Sequence, residues 1–333
     1  MPLFGKVRTH VNAKRGNHPI DLDAVSRRFL PAPVICREKI GQSAALRRRC
    51  VHEKTSRCSI RPQDTVVRMT RTALFAPFEI IEGARDRGLV LVADHAKRNL
   101  PEEYGDLGLP AAEFQRHIAY DIGVESVTRR LAALTGAPAV LANFSRLLID
   151  PNRGEDDPTL IRQLYDGTIV PANYPLAAEE RERRLELFYR PYQDAVGAMI
   201  ASVAAASGAA PFIFSVHSFT PVMQGHVRPW HVGVLWDLDD RVPRPLIDML
   251  KTDATLTVGD NEPYDGALRG DTMFKHAIVN GFAHALIEIR QDLIADDSGA
   301  EAWAARLAPI IDAINARPDI HQVRQYGSRT GPL

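Results

Sequence analysis

Apolar runs bounded by turn-forming residues alternate with helical patterns from about Thr72 to about residue 316. Short continuous apolar runs are typical of buried strands, whereas apolar positions that recur every three to four residues are typical of amphipathic helices. Their alternation indicates an α/β layered fold. The pattern predicts strands over 88–93, 139–142, 212–216, 230–236, 254–258 and 284–289.

Helical patterns separate these strands. The pattern predicts helices over 111–135, 176–207 with a kink near Pro191, 243–252, 271–280 and 298–316. Residues 145–175 are irregular and rich in Pro, Asp, Asn and Gly, and a loop of this length indicates a functional segment. Because strand and helix alternate without a Pro/Gly/Ser linker, we expect a single α/β domain over residues 69–333.

The first 68 residues differ from the rest of the chain. They show no sustained period of 2 or 3.6 residues, and they hold 15 Lys and Arg against 5 Asp and Glu in a chain with no net charge. A basic nucleic-acid-binding arm, an Arg-rich targeting peptide and a non-native leader read from a start codon assigned too far upstream are the three interpretations. We expect the third, a poorly structured leader, and full activity for a chain that begins at Met69.

Composition narrows the chemistry of the predicted domain. All three cysteines lie within residues 1–68, so thiol nucleophiles and thiolate metal ligands are excluded after that point, and any metal there must be held by His, Asp or Glu. The chain has no P-loop and no G-x-G-x-x-G after the first strand, which argues against a nucleotide enzyme. No apolar run reaches the roughly 18 residues of a membrane span. We expect a cytoplasmic protein without nucleic-acid or membrane partners, and the sequence gives no indication of its oligomeric state.

Polar residues stop three of the predicted strands. His95 follows the first strand, His217 follows the strand at 212–216, and Glu288 lies at the end of the strand at 284–287. Ligands gather at the carboxyl ends of strands in open α/β sheets. Neutral imidazoles hold Zn²⁺, and a carboxylate can take the proton of an attacking water. The sequence therefore predicts a hydrolytic metal site with two histidine ligands and a glutamate base.

The third metal ligand is open at this point. No H-x-x-E follows the first histidine, because Arg98 stands where that glutamate would be. Asp94, His117 and Asp121 are the candidates. His117 and Asp121 are spaced i, i+4, so we expect them to share a helix face. We predict Asp121 as the ligand, and a structural hydrogen bond between His117 and Asp121 is the alternative.

The irregular segment carries side chains suited to an acidic substrate. Arg146, Asn152 and Arg153 surround a Pro turn, and guanidinium groups grip carboxylates in a bidentate manner. A solvated Arg–Asp loop is the alternative interpretation. Arg228 and Tyr264 lie in polar and aromatic turns that we expect to rim the same pocket.

With these motifs assembled, the chain from about Phe78 to Leu307 resembles the N-formylglutamate amidohydrolase family. The motifs, in order, are 94–96 with Pro101 and 105–108, 117–123, 145–147 with 150–153, 217–221, 261–264 and 288–292. The family is similar in fold to the zinc carboxypeptidases and aspartoacylases, which implies a three-layer α/β/α domain with a mostly parallel or mixed central sheet. His95 and His217 take the places of the early and late zinc histidines, and Glu288 resembles the catalytic glutamate.

The resemblance implies hydrolysis of N-formyl-L-glutamate to formate and L-glutamate in histidine degradation, with a divalent metal, zinc, as cofactor. In the implied mechanism the metal on His95, His217 and Asp121 polarises the formyl oxygen. Glu288 deprotonates water and then protonates the amine. Arg146, Asn152 and Arg153 would hold the carboxylates of this small N-acyl amino acid.

Two other functions fit the same pattern. One is a deacylase or carboxypeptidase that acts on another N-acyl acidic amino acid or on a peptide end. The other is a non-catalytic binding protein that retains the fold, which is suggested by the missing H-x-x-E glutamate. Comparing the hydrolysis of substrates with different acyl groups would distinguish the first alternative from a formylglutamate hydrolase. Metal analysis, with activity measured before and after chelation, would distinguish the second.

Overall fold

The computed structural model describes residues 75–333. The predicted leader at 1–68 lies outside the described residues. The described strands are β1 (Phe78–Ile81), β2 (Leu89–Ala93), β3 (Ala139–Ala142), β4 (Leu164–Tyr165), β5 (Thr168–Ile169), β6 (Phe212–Phe219), β7 (Val222–Met223), β8 (His226–Val227), β9 (Val232–Leu235), β10 (Val258–Asp260) and β11 (His284–Arg290).

The helices lie mainly between the sheet strands and after the last one. The α-helices are α1 (Val124–Thr135), α2 (Ala178–Arg184), α3 (Arg190–Ser207), α4 (Pro243–Leu250), α5 (Thr272–His276) and α6 (Asp297–Asn315), and a π-helical segment, Leu185–Tyr189, joins α2 to α3. Short 3₁₀ turns cover Arg85–Arg87, Glu102–Tyr104, Ala111–Gln115, Pro171–Asn173, Ile278–Asn280 and Gln291–Leu293. None of the described helices is long and apolar enough to cross a membrane.

The central sheet has seven strands in the order β1-β3-β2-β6-β11-β9-β10. The four middle strands, β3, β2, β6 and β11, run parallel to one another. At the edges, β1 is antiparallel to β3, and β9 is antiparallel to β11 and parallel to β10. The fold is therefore α/β with a mixed sheet and a parallel centre, which confirms the predicted class. The pairs β4–β5 and β7–β8 form two small hairpins outside this sheet.

Side chains alternate between the two faces of the sheet, as they must along extended strands. Leu89 and Leu91 of β2 belong to an apolar cluster that includes residues of α1, α4 and α6. Val90 and Val92 point to the other face, where α3 packs against β2 and β3. Both faces are therefore covered, which explains why the parallel strands are continuous apolar runs.

The predicted helix over 111–135 is wrong in its first half. Only Val124–Thr135 is α-helical, because Gly123 has a left-handed φ of 84° and the segment before it forms turns. One of these turns is fixed by a tertiary contact, in which Asp121 N donates to His95 O over 2.9 Å. His117 and Asp121 therefore do not share a helix face.

Two strands differ from their predicted bounds by three residues or more. The strand predicted at 254–258 is displaced to Val258–Asp260, because the Asp253 side chain accepts a hydrogen bond from Thr255 N over 3.0 Å and closes a local turn. In contrast, β6 continues to Phe219 because its polar residues stay paired with β11. The predicted interruption near Pro191 is present as the π-helical segment that precedes it.

Candidate active site

Two site residues lie side by side on neighbouring strands. His217 of β6 and Glu288 of β11 are paired in register across the parallel ladder. Val216 and Ile287, one residue earlier on each strand, belong to the apolar cluster on the opposite face. By the two-residue period, His217 and Glu288 both project from the face covered by α3.

His95 and Asp121 are brought to this place by turns. His95 lies in the turn that follows β2, and its carbonyl accepts the Asp121 amide hydrogen bond that holds the two segments together. Ser218 N donates to Asp121 Oδ2 over 3.3 Å, which ties the same carboxylate to β6. The side chains of His95, Asp121 and His217 are at most 4% exposed.

The two imidazoles converge on one carboxylate oxygen. Asp121 Oδ2 lies 3.3 Å from His95 Nδ1 and 2.9 Å from His217 Nδ1. One potential ligand atom from each of the three residues lies within 4.8 Å of the other two. Two imidazole nitrogens and one carboxylate oxygen are a donor set that zinc accepts, with room for a fourth ligand. The side chains present therefore fit a divalent metal.

Each imidazole also contacts a second carboxylate, through the ring nitrogen that does not face Asp121. Since a carboxylate only accepts hydrogen bonds, His95 Nε2 donates to Asp150 Oδ1 over 2.7 Å, and His217 Nε2 donates to Asp94 Oδ2 over 3.1 Å. This arrangement leaves Nδ1 of each ring facing Asp121, and it is the usual support for metal-binding histidines. Asp94, a candidate third ligand from the sequence, thus lies behind His217. No sequence signal identified this role for Asp94 or Asp150.

Arg146 contacts both Asp121, the carboxylate between the two imidazoles, and Asp150, the carboxylate that accepts from His95. Its Nη1 lies 3.2 Å from Asp121 Oδ1, and its Nη2 lies 2.8 Å from Asp150 Oδ2. Burial by itself would raise the pKa of Asp150, but Arg146, together with His95 and Arg153, outweighs it and holds that pKa well below its usual value. The guanidinium group is therefore already engaged by protein carboxylates.

The pKa values of Glu288 and His217 are both raised, for different physical reasons. Burial raises the pKa of Glu288 to about 8, and its Oε2 has no hydrogen-bond partner among the described residues. Burial would lower the pKa of His217, but the carboxylates of Asp121 and Asp94 outweigh it and raise that pKa to about 10. A buried carboxyl group without a partner beside a histidine–aspartate cluster marks a reactive position.

A cavity of about 510 Å³ opens onto these residues. Its wall includes most of the residues singled out from the sequence: His95, Asp121, Arg146, Asn152, Arg153, His217, Tyr264 and Glu288. Arg228 is not part of this wall, but its Nη1 donates to the Tyr264 hydroxyl over 2.8 Å. The hairpins β4–β5 and β7–β8 also contribute to the wall.

The residues after Asp150 are fixed by hydrogen bonds within the loop and by one from Thr272 of α5. Asn152 Oδ1 accepts from Thr272 N over 3.0 Å. Arg153 donates from Nη1 to Asn152 O over 2.7 Å and from Nε to Thr159 Oγ1 over 3.2 Å. Arg153 is therefore held in the cavity wall by the loop, and Asn152 by the start of α5.

His117 lies apart from the ligand cluster. Its Nε2 is 3.5 Å from Asp166 Oδ2, and its ring packs edge-on against Tyr165. The alternative of a structural His117–Asp121 hydrogen bond has no counterpart among the described side-chain contacts, in which Asp121 pairs with His95, His217 and Arg146.

Comparison with known proteins places this site in a family. The sequence profile of N-formylglutamate amidohydrolase matches residues 87–295, a span that includes His95, Asp121, His217 and Glu288. A search of curated protein sequences gives no match.

Two crystal structures are similar to the chain. A gene product of Agrobacterium tumefaciens is 32% identical, with 73% of this chain and 96% of that chain covered and a TM-score of 0.67. An N-formylglutamate amidohydrolase from Ralstonia eutropha is 22% identical, with 72% and 97% covered and a TM-score of 0.53, and this likeness shows a shared fold. Since the profile spans more than half of its length, the chain belongs to the N-formylglutamate amidohydrolase family and is an amidohydrolase.

Proposed function

We propose that this chain hydrolyses N-formyl-L-glutamate to formate and L-glutamate, with a divalent metal, zinc in the first instance, held by His95, Asp121 and His217. The observation that carries the proposal is the convergence of these three ligand atoms within 4.8 Å, in a cavity that also contains Glu288. Membership of the family supports the choice of substrate.

The protein groups around the ligands set their protonation. Asp94 and Asp150 accept the Nε2 protons of His217 and His95, so the Nδ1 atoms that face Asp121 are the ones that would bind the metal once their protons are lost. When bound there, a divalent metal supplies Lewis-acid stabilisation of the negative charge that develops on the formyl oxygen. Arg146, which pairs with Asp121 and Asp150, positions these carboxylates.

Glu288 is the proton carrier in this proposal. Its unpartnered Oε2 can accept a hydrogen bond from the attacking water and take its proton as the oxygen bonds to the formyl carbon. The same proton then passes to the nitrogen as the C–N bond breaks, which releases formate and the amine of glutamate. A pKa raised to about 8 suits a group that must accept and return one proton near neutral pH.

The glutamate half of the substrate would occupy the loop side of the cavity. Asn152 and Arg153 are fixed in its wall and offer an amide and a guanidinium group to a carboxylate. Tyr264, whose hydroxyl is held by Arg228, forms another part of the wall.

The test uses the purified protein with a panel of acyl amino acids. We expect N-formyl-L-glutamate to be hydrolysed with a higher kcat/KM than N-acetyl- or N-succinyl-L-glutamate and N-formyl-L-aspartate. Chelation should abolish activity, and added zinc should restore it. Full activity after complete metal removal would exclude the metal role, and a preference for a longer acyl group would assign the chain to a different deacylase reaction.

A further inference from the structure

A third arginine lines the cavity and has no role in the proposed chemistry. Arg162 lies just before β4, and its side chain forms part of the same wall as His217 and Glu288. Its Nε is buried, yet it has no hydrogen-bond partner within residues 75–333. Burial lowers the pKa of this guanidinium group. A buried donor without a partner is costly, so the arrangement indicates that something else completes it.

The other two arginines of this wall are held by protein groups, Arg146 by carboxylates and Arg153 by neutral acceptors that leave its charge available. Arg146 pairs with the Asp121 and Asp150 carboxylates. Arg153 uses Nε and Nη1 for Thr159 and for a backbone carbonyl. Among the described salt bridges, none involves Arg162. Arg162 thus offers the cavity a cation that forms no salt bridge with a carboxylate of residues 75–333.

The Tyr165 ring contacts both Arg162 and Arg146, and so relates Arg162 to the three proposed metal ligands. The Arg162 Cζ atom lies 4.5 Å from the ring centroid of Tyr165, and the Arg146 Cζ atom lies 5.5 Å from it. Arg146 in turn contacts Asp121. The path of contacts from Asp121 to Arg162 therefore passes through two side chains, Arg146 and Tyr165. This separation suits a group that binds the far end of a substrate rather than its reacting carbon.

Two acidic residues of the cavity wall, Asp166 and Asp265, are paired with other arginines. Asp166 Oδ2 pairs with Arg116 Nη2 over 2.9 Å. Asp265 Oδ1 pairs with Arg329 Nη2, 2.6 Å away. Both carboxylates thus have their own cations, and a carboxylate of the ligand would meet an available guanidinium group at Arg162.

We infer that Arg162 is a specificity-determining residue that binds the side-chain carboxylate of the substrate, while Asn152 and Arg153 serve its α-carboxylate. This inference rests on the proposed function and deepens it, because it assigns separate protein groups to the two carboxylates of an N-formyl dicarboxylic amino acid. A planar guanidinium fork matches a carboxylate geometrically, and an amide in place of that carboxylate loses the charge.

The test compares two substrates that differ only at that position, N-formyl-L-glutamate and N-formyl-L-glutamine. In Arg162→Met, we expect the ratio of their kcat/KM values to fall by about 10- to 100-fold, the loss typical of a charge-assisted pair. The change should appear mainly as a raised KM for N-formyl-L-glutamate. The values for N-formyl-L-glutamine should remain near those of the unmodified protein.

Two further variants give the comparison its controls. Arg162→Lys keeps the charge but not the fork, so it should retain part of the preference for glutamate. Arg85→Met removes an exposed arginine that pairs with Glu82, and it should leave both substrates unaffected. Metal content and the midpoint of thermal unfolding are measured for every variant.

The outcomes distinguish a specificity role of Arg162 from a structural role and from failure of the proposed function. Equal losses on both substrates in Arg162→Met would show a structural role and overturn the inference, as would an unchanged ratio. If the unmodified protein hydrolyses neither formyl substrate, the proposed function fails, and calorimetric titration with L-glutamate and L-glutamine then tests Arg162 directly. A glutamate preference that disappears in Arg162→Met supports the inference, whereas equal binding by the variant and the unmodified protein overturns it.

Discussion

At the scale of the residue, a buried carboxylate controls the tautomer of His217. Asp94 Oδ1 accepts from the hydroxyls of Tyr192 and Thr272, whereas its Oδ2 accepts from His217 Nε2. In Asp94→Asn, the oxygen can keep the two hydroxyl contacts, which leaves the amide NH₂ facing the imidazole. The ring would then carry its proton on Nδ1, where the metal ligand should be.

Asp94→Asn should therefore weaken zinc affinity by about 10- to 100-fold, the usual effect of losing such a supporting carboxylate. Competition against a chromophoric chelator measures this change. Asp312→Asn is the control, because its carboxylate pairs with Arg87 at the surface. An affinity equal to that of the unmodified protein would argue against Nδ1 ligation by His217.

Glu288→Gln removes the proposed proton carrier with little change in shape. We expect kcat to fall by about 10²- to 10⁴-fold or more, because an amide cannot accept the proton of water. Zinc content, measured by elemental analysis, should stay the same, since the proposed ligands are His95, Asp121 and His217. Loss of zinc in this variant would instead make Glu288 a ligand.

Single residues also show how far sequence reasoning reaches. The positions of His95, His217 and Glu288 follow from polar residues that stop apolar strands, and the structure brings all three to one cavity. The sequence predicts Asp121 as a ligand on a helix face shared with His117; the structure contains no such helix there, yet a turn brings Asp121 to the same place. Arg162 carried no signal, because its significance depends on which carboxylates its neighbours occupy.

At the scale of the element, the turn before α1 determines where Asp121 lies. Gly123 has a left-handed backbone, and a Cβ at this position would lie 2.1 Å from Ile294 O. Gly123→Ala combines backbone strain with a clash against main chain, so we expect it to lower the free energy of unfolding by about 2–4 kcal/mol. Urea unfolding of the metal-free protein measures this change.

Gly208→Ala provides a matched comparison. Gly208 also has a left-handed backbone, at the end of α3, but a Cβ there would meet no atom within 4 Å. Its replacement should lower the free energy of unfolding by only about 1 kcal/mol. Similar losses in the two variants would mean that the Gly123 turn has room to adjust.

Elements that follow from the apolar pattern alone could be predicted from the sequence. Elements whose backbone forms hydrogen bonds with another segment or with a nearby side chain could not. The buried strands β2 and β3 follow from continuous apolar runs, and the structure confirms both. The first half of the predicted helix at 111–135 failed because the Asp121 amide bonds to another segment rather than to its own. The strand predicted at 254–258 failed because the Asp253 side chain competes for the backbone.

At the scale of the whole molecule, buried histidine links stability to pH. His276 is buried, with its Nε2 2.7 Å from Gln193 Oε1, and burial lowers its pKa to about 3. An unfolded chain has a histidine pKa near 6.5. Between these values the unfolded state binds a proton that the folded state does not, so stability falls as pH falls, by up to about 1.4 kcal/mol per pH unit.

His276→Gln should reduce this loss, because glutamine does not titrate and its amide can still donate to Gln193. Urea unfolding at pH 7.5 and pH 5 gives the free energy of unfolding for both proteins. The unmodified protein should lose more stability between the two pH values than the variant. Identical losses would show that folding does not shift the pKa of His276.

The two hairpins, β4–β5 and β7–β8, stand outside the central sheet yet help to form the cavity wall. Their outer residues make little packing contact, since Ile169 is 66% exposed and Val227 is 77% exposed. The groups assigned to bond cleavage, in contrast, sit on the sheet or on the turn bound to it. Substitutions in the hairpins can therefore change which acidic substrates bind, while the residues proposed for catalysis stay in place. With the two functions carried by separate elements, substrate range can diverge during evolution without a matching loss of catalytic activity.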